Sequence, residues 1–165
     1  MKNLILDSIK DKILYIEDIN EGLKKYSNAI LKIDLNKEGE ENFIKFLYEI
    51  DENIIVDYYG NIINDSAFMK MVETLDEEEK SYLLDLKEKG YKEIFYSNIE
   101  EKFLKILINL SINEILFSSF YLKNMTIWGN YNGKFIMFFN KETNIKDIEN
   151  KANKYNLQIE DIKEV

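Results

Sequence analysis

The sequence predicts a single α+β domain over residues 1–165, with a three-stranded antiparallel meander at about residues 114–139 packed on amphipathic helices. Three observations point there. Stretches of helical apolar period are interspersed with alternating ones, and no Pro-rich, Gly/Ser-rich or long single-charge tract marks a linker between them. Three aromatic stretches between Glu114 and Phe139 are separated by Lys123-Asn124 and by Asn132-Gly133, the second being a strong hairpin signal. Finally, a chain of 165 residues buries enough apolar surface to fold without staples, and it has no cysteine to make any.

In chain order, Ile5, Ile9, Ile13 and Ile16 have helix-compatible spacing, although Ile13-Leu14-Tyr15-Ile16 also reads as a short strand. Ala29, Leu31, Ile33 and Leu35 alternate with Lys32 and Asp34, the pattern of a half-buried strand. Phe43, Phe46, Leu47 and Ile50 then share one face of a helix. Ile54 to Tyr59 reads as a strand ending at Gly60-Asn61, and Phe68, Met69, Val72 and Leu75 mark a helix after Asp65-Ser66. Another helix opens near Glu77, with Glu77, Glu78 and Glu79 in its first turn, and stops at Gly90 after Lys87 and Lys89. Ser97-Asn98-Ile99-Glu100 reads as a capping box for a core helix over about Asn98 to Leu110. A last helix opens at Asn144, and Leu157 and Ile159 suggest a closing strand.

If both meander loops have two residues, Leu122 faces Met125, Tyr121 faces Thr126 and Ser119 faces Trp128. Across the second turn Asn130 then faces Phe135, Trp128 faces Met137 and Thr126 faces Phe139. One face carries Leu116, Phe120, Leu122, Ile127, Ile136 and Phe138, suited to the helices. The other carries Phe117, Ser119, Tyr121, Thr126, Trp128, Asn130, Phe135, Met137 and Phe139. From that face Phe117, Ser119, Tyr121, Trp128, Asn130, Phe135 and Met137 are the candidate partner-binding residues, because aromatic rings with polar tips suit an interface core. The competing expectation is a second layer from the N-terminal half covering this face. Gly129 is the weak point of the register, since a bulge there would move every face assignment beyond Asn130.

Composition removes much chemistry. Cys, His, Pro and Arg are all absent, which excludes thiolate chemistry, the usual general base near neutral pH, the commonest zinc ligand and bidentate guanidinium clamps. An AT-rich genome accounts for this composition, and the functional consequence is the same whatever its origin. A net charge of −9 repels phosphate backbones and anionic membranes and attracts basic surfaces, so neither nucleic acid nor membrane is expected as a direct partner. The first residues meet charge after three apolar ones, too few for a signal-peptide core, and with no cysteine a cytoplasmic location is expected.

No phosphate-cradling glycine loop, Gly-x-Ser-x-Gly, Ser-x-x-Lys, EF-hand loop or paired histidine is present, and no catalytic residue, cofactor or metal is expected. Asp51, Glu52, Asp57 and Asp65 are what remains for a carboxylate-based enzyme. Alternation within Val56-Asp57-Tyr58 would send Asp57 to solvent.

Ser118-Ser119-Phe120-Tyr121, Thr126-Ile127-Trp128-Gly129-Asn130-Tyr131 and Phe135-Ile136-Met137-Phe138-Phe139 together resemble small bacterial immunity proteins of polymorphic and contact-dependent toxin systems. That resemblance implies a non-enzymatic cytosolic protein that sequesters a toxin domain, commonly a basic nuclease, and it carries no residue roles. The functional expectation is accordingly an acidic, non-catalytic binding protein whose partner is a basic toxin or effector domain. The alternatives are a small-molecule-binding module, a carboxylate-based hydrolase, and a phage-type inhibitor that mimics nucleic acid.

Overall fold

The computed structural model describes residues 1–165. The elements run β1 (Lys2–Leu4), α1 (Leu6–Ile9), α2 (Ile19–Lys25), β2 (Ser27–Lys32), α3 (Lys37–Ile50), β3 (Ile55–Asp57), α4 (Asp65–Val72), α5 (Glu77–Glu88), β4 (Phe95–Ser97), α6 (Glu101–Ile112), β5 (Ser119–Leu122), β6 (Met125–Trp128), β7 (Lys134–Phe139), α7 (Ile145–Lys154) and β8 (Gln158–Lys163). This is an α+β fold. All eight strands join one antiparallel sheet in the order β1-β4-β3-β5-β6-β7-β2-β8. The aromatic strands β5, β6 and β7 are therefore the middle of a wide sheet, and no separate three-stranded unit exists.

Local chemistry sets the helix ends. Asp18 accepts from the amides of Asn20 and Glu21 to start α2, Asn36 accepts from Gly39 to start α3, and Asp76 and Glu79 form a reciprocal capping box on α5. The capping box expected at Ser97 does not form. Ser97 is instead the last residue of β4, paired with Lys2, and Asn98 turns left-handed at φ 49°, so α6 starts at Glu101 without a side-chain cap. The N-terminal apolar spacing likewise gives only the single turn α1 and irregular chain up to Ile16, because this segment lies across a sheet face.

Between β5 and β6 the pairs are Ser119 with Trp128, Tyr121 with Thr126 and Leu122 with Met125, as a two-residue loop requires, with Asn124 at φ 63°. Between β6 and β7 the expected register is wrong by one residue. Trp128 pairs with Ile136, not Met137, and Thr126 pairs with Phe138, not Phe139. The turn itself sits at Asn132-Gly133, both with positive φ, and the Lys134 amide closes it onto the Tyr131 carbonyl. Between that turn and the Trp128–Ile136 pair, Gly129 and Asn130 stand against Phe135 alone. The extra residue flips every side chain of β7 to the other face.

As a result Phe135, Met137 and Phe139 join Phe120, Leu122, Met125 and Ile127 on the helix-facing side, where they belong to one apolar core of 33 residues. There Phe43 of α3 meets Phe120 and Phe135 edge-to-face, with ring centroids 5.4 and 5.2 Å apart. Ile136 and Phe138 move to the opposite face. That face is roofed by the N-terminal segment: Ile9 packs with Phe95 and Tyr121, and Ile16 with Ile136 and Phe138. The Thr126 hydroxyl donates to the Leu14 carbonyl at 2.6 Å and fixes the roof to the sheet. No helix is long and apolar enough to cross a membrane.

Candidate functional site

The roof does not close over the whole second face. Where Tyr15, Ile16 and Glu17 pass above β3, β5 and β6, they leave a cleft of about 190 Å³ floored by Asp57, Ser119, Tyr121 and Trp128 and edged by Tyr59, Phe117, Ser118 and Gly129. The sheet register explains the floor. Val56 pairs with Phe120 and Ser119 with Trp128, so the next residue of β3, Asp57, stands in one cross-strand row with Ser119 and Trp128. Tyr121, two residues from Ser119, shares their face.

Asp57 was expected in solvent, and it is 3 % exposed. The alternation was right and the exposure wrong, because β3 lies between β4 and β5 in a sheet covered on both faces. The Ser119 amide donates to Asp57 Oδ1 at 2.6 Å and the Tyr121 hydroxyl to Oδ2 at 3.1 Å. Desolvation dominates these bonds and pushes the Asp57 carboxyl up to about 6, while its hydrogen bonds from Ser119 and Tyr121 hold it down. The same burial, with the Asp57 charge adding to it, raises the Tyr121 phenol far above its ordinary range. None of the chain's four ion pairs includes Asp57. At neutral pH the floor of the cleft thus holds a mostly ionised carboxylate whose donors are all neutral.

Two further groups on the cleft lack partners. Trp128 Nε1 and Ser118 Oγ are buried without a hydrogen bond, and Ser118 is only 2 % exposed. Gly129 allows the walls to come this close, since a Cβ there would lie 3.0 Å from the Ser118 carbonyl oxygen and 3.3 Å from Phe117 Cδ1. On the rim, Tyr59 belongs to a turn tied to α5 by the Lys87 ammonium, which donates to the carbonyls of Gly60, Asn61 and Ile63 at 3.0–3.2 Å.

Of the residues the sequence singled out, the structure brings Phe117, Ser119, Tyr121 and Trp128 to the cleft. Asn130 is partly exposed in the bulge beside it. Phe135 and Met137 are the corrections: both are fully buried on the helix side, displaced by the extra residue at Gly129-Asn130, and reach no surface. Tyr121 is 3 % exposed, so it presents its hydroxyl to Asp57 and offers no protruding ring. Asp51, Glu52 and Asp65 are not at the cleft; Asp51 instead accepts from the Asn53 and Lys123 amides. Sequence reasoning missed Ser118, Tyr15, Glu17 and Tyr59, whose only signal is the fold itself. No group of three or more acidic, His or Cys residues is gathered where it could hold a metal ion.

No protein-family model matches this chain, and no curated protein and no solved structure matches it.

Proposed function

We propose that this chain is a non-catalytic cytoplasmic binding protein that sequesters a basic protein partner, as an immunity protein or inhibitor does with a toxin or effector domain. The observation that supports the reading best is Asp57: a buried carboxylate, without a cation of its own chain, at the floor of a cleft. Buried charges in proteins are ordinarily paired, so an unpaired one facing a cleft fits a counter-charge brought by a partner. The net charge of −9 would accelerate the encounter with such a partner. Phe117, Ser119, Trp128 and Asn130 border the contact, with Asp57 in place of the ring anchors Phe135 and Met137.

A carboxylate-based enzyme is the second reading, favoured by the value near 6 at Asp57, within the range of a general base. Against it, the cleft's other carboxylate, Glu17, is exposed on the roof.

The test is paired affinity capture from lysate of the source organism with wild type and a folded Asp57→Asn/Trp128→Ala double variant, identifying what each retains. A basic protein held by wild type and released by the variant is the expected result. Retention of no protein by either form, or of the same proteins by both, overturns the reading.

A further inference from the structure

We infer that the Asp57 cleft is a receptor for one cationic side chain, the ammonium of a lysine or the guanidinium of an arginine, inserted against the Asp57 carboxylate between Tyr15, Tyr59 and Trp128. This deepens the proposed function and rests on it only for the source of the cation.

The size comes first. Pockets for drug-sized ligands occupy about 300–1,000 Å³, and this cleft has about 190 Å³, room for one extended side chain. The charge comes next. An ionised carboxylate has about four acceptor sites. Asp57 gives two of them to the Ser119 amide and the Tyr121 hydroxyl, both neutral, so its charge and the remaining lone pairs are left for an incoming donor. The walls also suit a cation, because aromatic rings present electron-rich faces to it and are enhanced in that role when desolvated. A neutral or anionic occupant would leave the Asp57 charge unanswered.

Trp128 is the chain's one tryptophan, so its fluorescence reports on the cleft without a label. The experiment titrates wild type and Asp57→Asn with n-butylguanidinium chloride, n-butylammonium chloride and, as neutral counterpart, n-butylurea, at fixed ionic strength. A lysine- and arginine-rich peptide forms a further arm. Besides Asp57, the titratable groups facing the cleft are Tyr121 on β5, Tyr59 in the turn after β3, and Tyr15 and Glu17 of the roof. The three tyrosines are all raised by burial, so a pH arm run in a Glu17→Gln background leaves Asp57 as the one carboxylate in the cleft.

The expected result is saturable binding of the cations and none of the urea at pH 7.5, at least tenfold weaker binding to Asp57→Asn, and about tenfold weaker binding at pH 5, where Asp57 is mostly protonated. Tighter binding of the peptide than of the free cations assigns the cation to a protein side chain; equal binding assigns it to a free small amine or guanidine. Equal response to the urea, no saturable response to any cation, or unchanged affinity in Asp57→Asn of native circular dichroism overturns the inference. The two readings fail separately. Cation binding without a captured basic protein removes the sequestration reading alone, and a basic protein captured by wild type and released by the double variant, without saturable binding of any cation, removes the cleft inference alone.

Discussion

The Ser119 amide meets Asp57 Oδ1 at 2.6 Å across the β3–β5 boundary, in a place where the two strands have run out of regular pairing. Backbone pairing between β3 and β5 stops at Val56–Phe120. The carboxylate takes over as acceptor for the next amide, so one side chain both completes the sheet and carries a charge into its covered face. This double duty puts the end of the β3–β5 pairing and the charge in the covered face on one residue.

The first prediction concerns pH and stability. A carboxyl raised from 3.8 to about 6 by burial binds its proton more tightly in the folded state. Between those values the folded state holds more protons than the unfolded one, so this group's contribution falls as pH rises and is fully adverse above 6. The sign is opposite to that of a salt-bridged aspartate. A rise of this size corresponds to about 3 kcal/mol. Asp57→Asn, which keeps the shape and loses the charge, should therefore be more stable than wild type at pH 7.5 by up to about 3 kcal/mol. That advantage should shrink as pH falls from 6 to 4, as urea unfolding at each pH would show. A variant that is less stable at pH 7.5 would mean that the charge is satisfied within the fold.

The second prediction is Gly129→Ala. The added Cβ would face the Ser118 carbonyl oxygen at 3.0 Å, and a backbone oxygen in a strand junction has little room to give. Destabilisation by about 1–3 kcal/mol is expected, the range for overpacking a tight site, and denaturant midpoints would measure it. Since the same Cβ would press on Phe117 at the cleft edge, Trp128 emission should shift in the folded variant.

Third, Thr126→Val removes the hydroxyl that donates to the Leu14 carbonyl and leaves that carbonyl without its bond. A loss of about 1–3 kcal/mol is expected. The loss should be local: hydrogen exchange should accelerate over residues 9–17, the roof of the cleft, and remain slow in β5 and β6. Uniform acceleration would show that the roof does not open on its own.

How much of this was legible in the sequence depends on where each signal resides. Local signals read correctly: the acidic first turn and Gly90 stop of α5, the apolar face of α3, and the Lys123-Asn124 loop that sets the β5–β6 register. So did the turn at Asn132-Gly133, yet the faces of β7 came out inverted. A single extra residue at Gly129-Asn130 decides those faces, and an unpaired residue leaves no periodic trace. The short strands β1 and β4 have three residues each, too few for an alternation to be read. Asp57 was hidden for another reason. Alternation says which face a residue takes, while its burial depends on the N-terminal segment roofing that face, a contact some forty residues away in sequence. For the same reason the cleft, built from residues of four separate segments, could not be seen before folding.

Titration of the Asp57 carboxyl carbon by NMR, in the free protein and with saturating n-butylguanidinium, distinguishes a cation seated on the carboxylate from one bound elsewhere. A cation against the carboxylate must favour the ionised form, and linkage requires the midpoint to drop by the same factor by which ionisation strengthens binding. The expected midpoint is near 6 in the free protein and at least one pH unit lower with the cation bound. A midpoint that stays where it was would contradict it, because the cation would then be bound elsewhere or not at all.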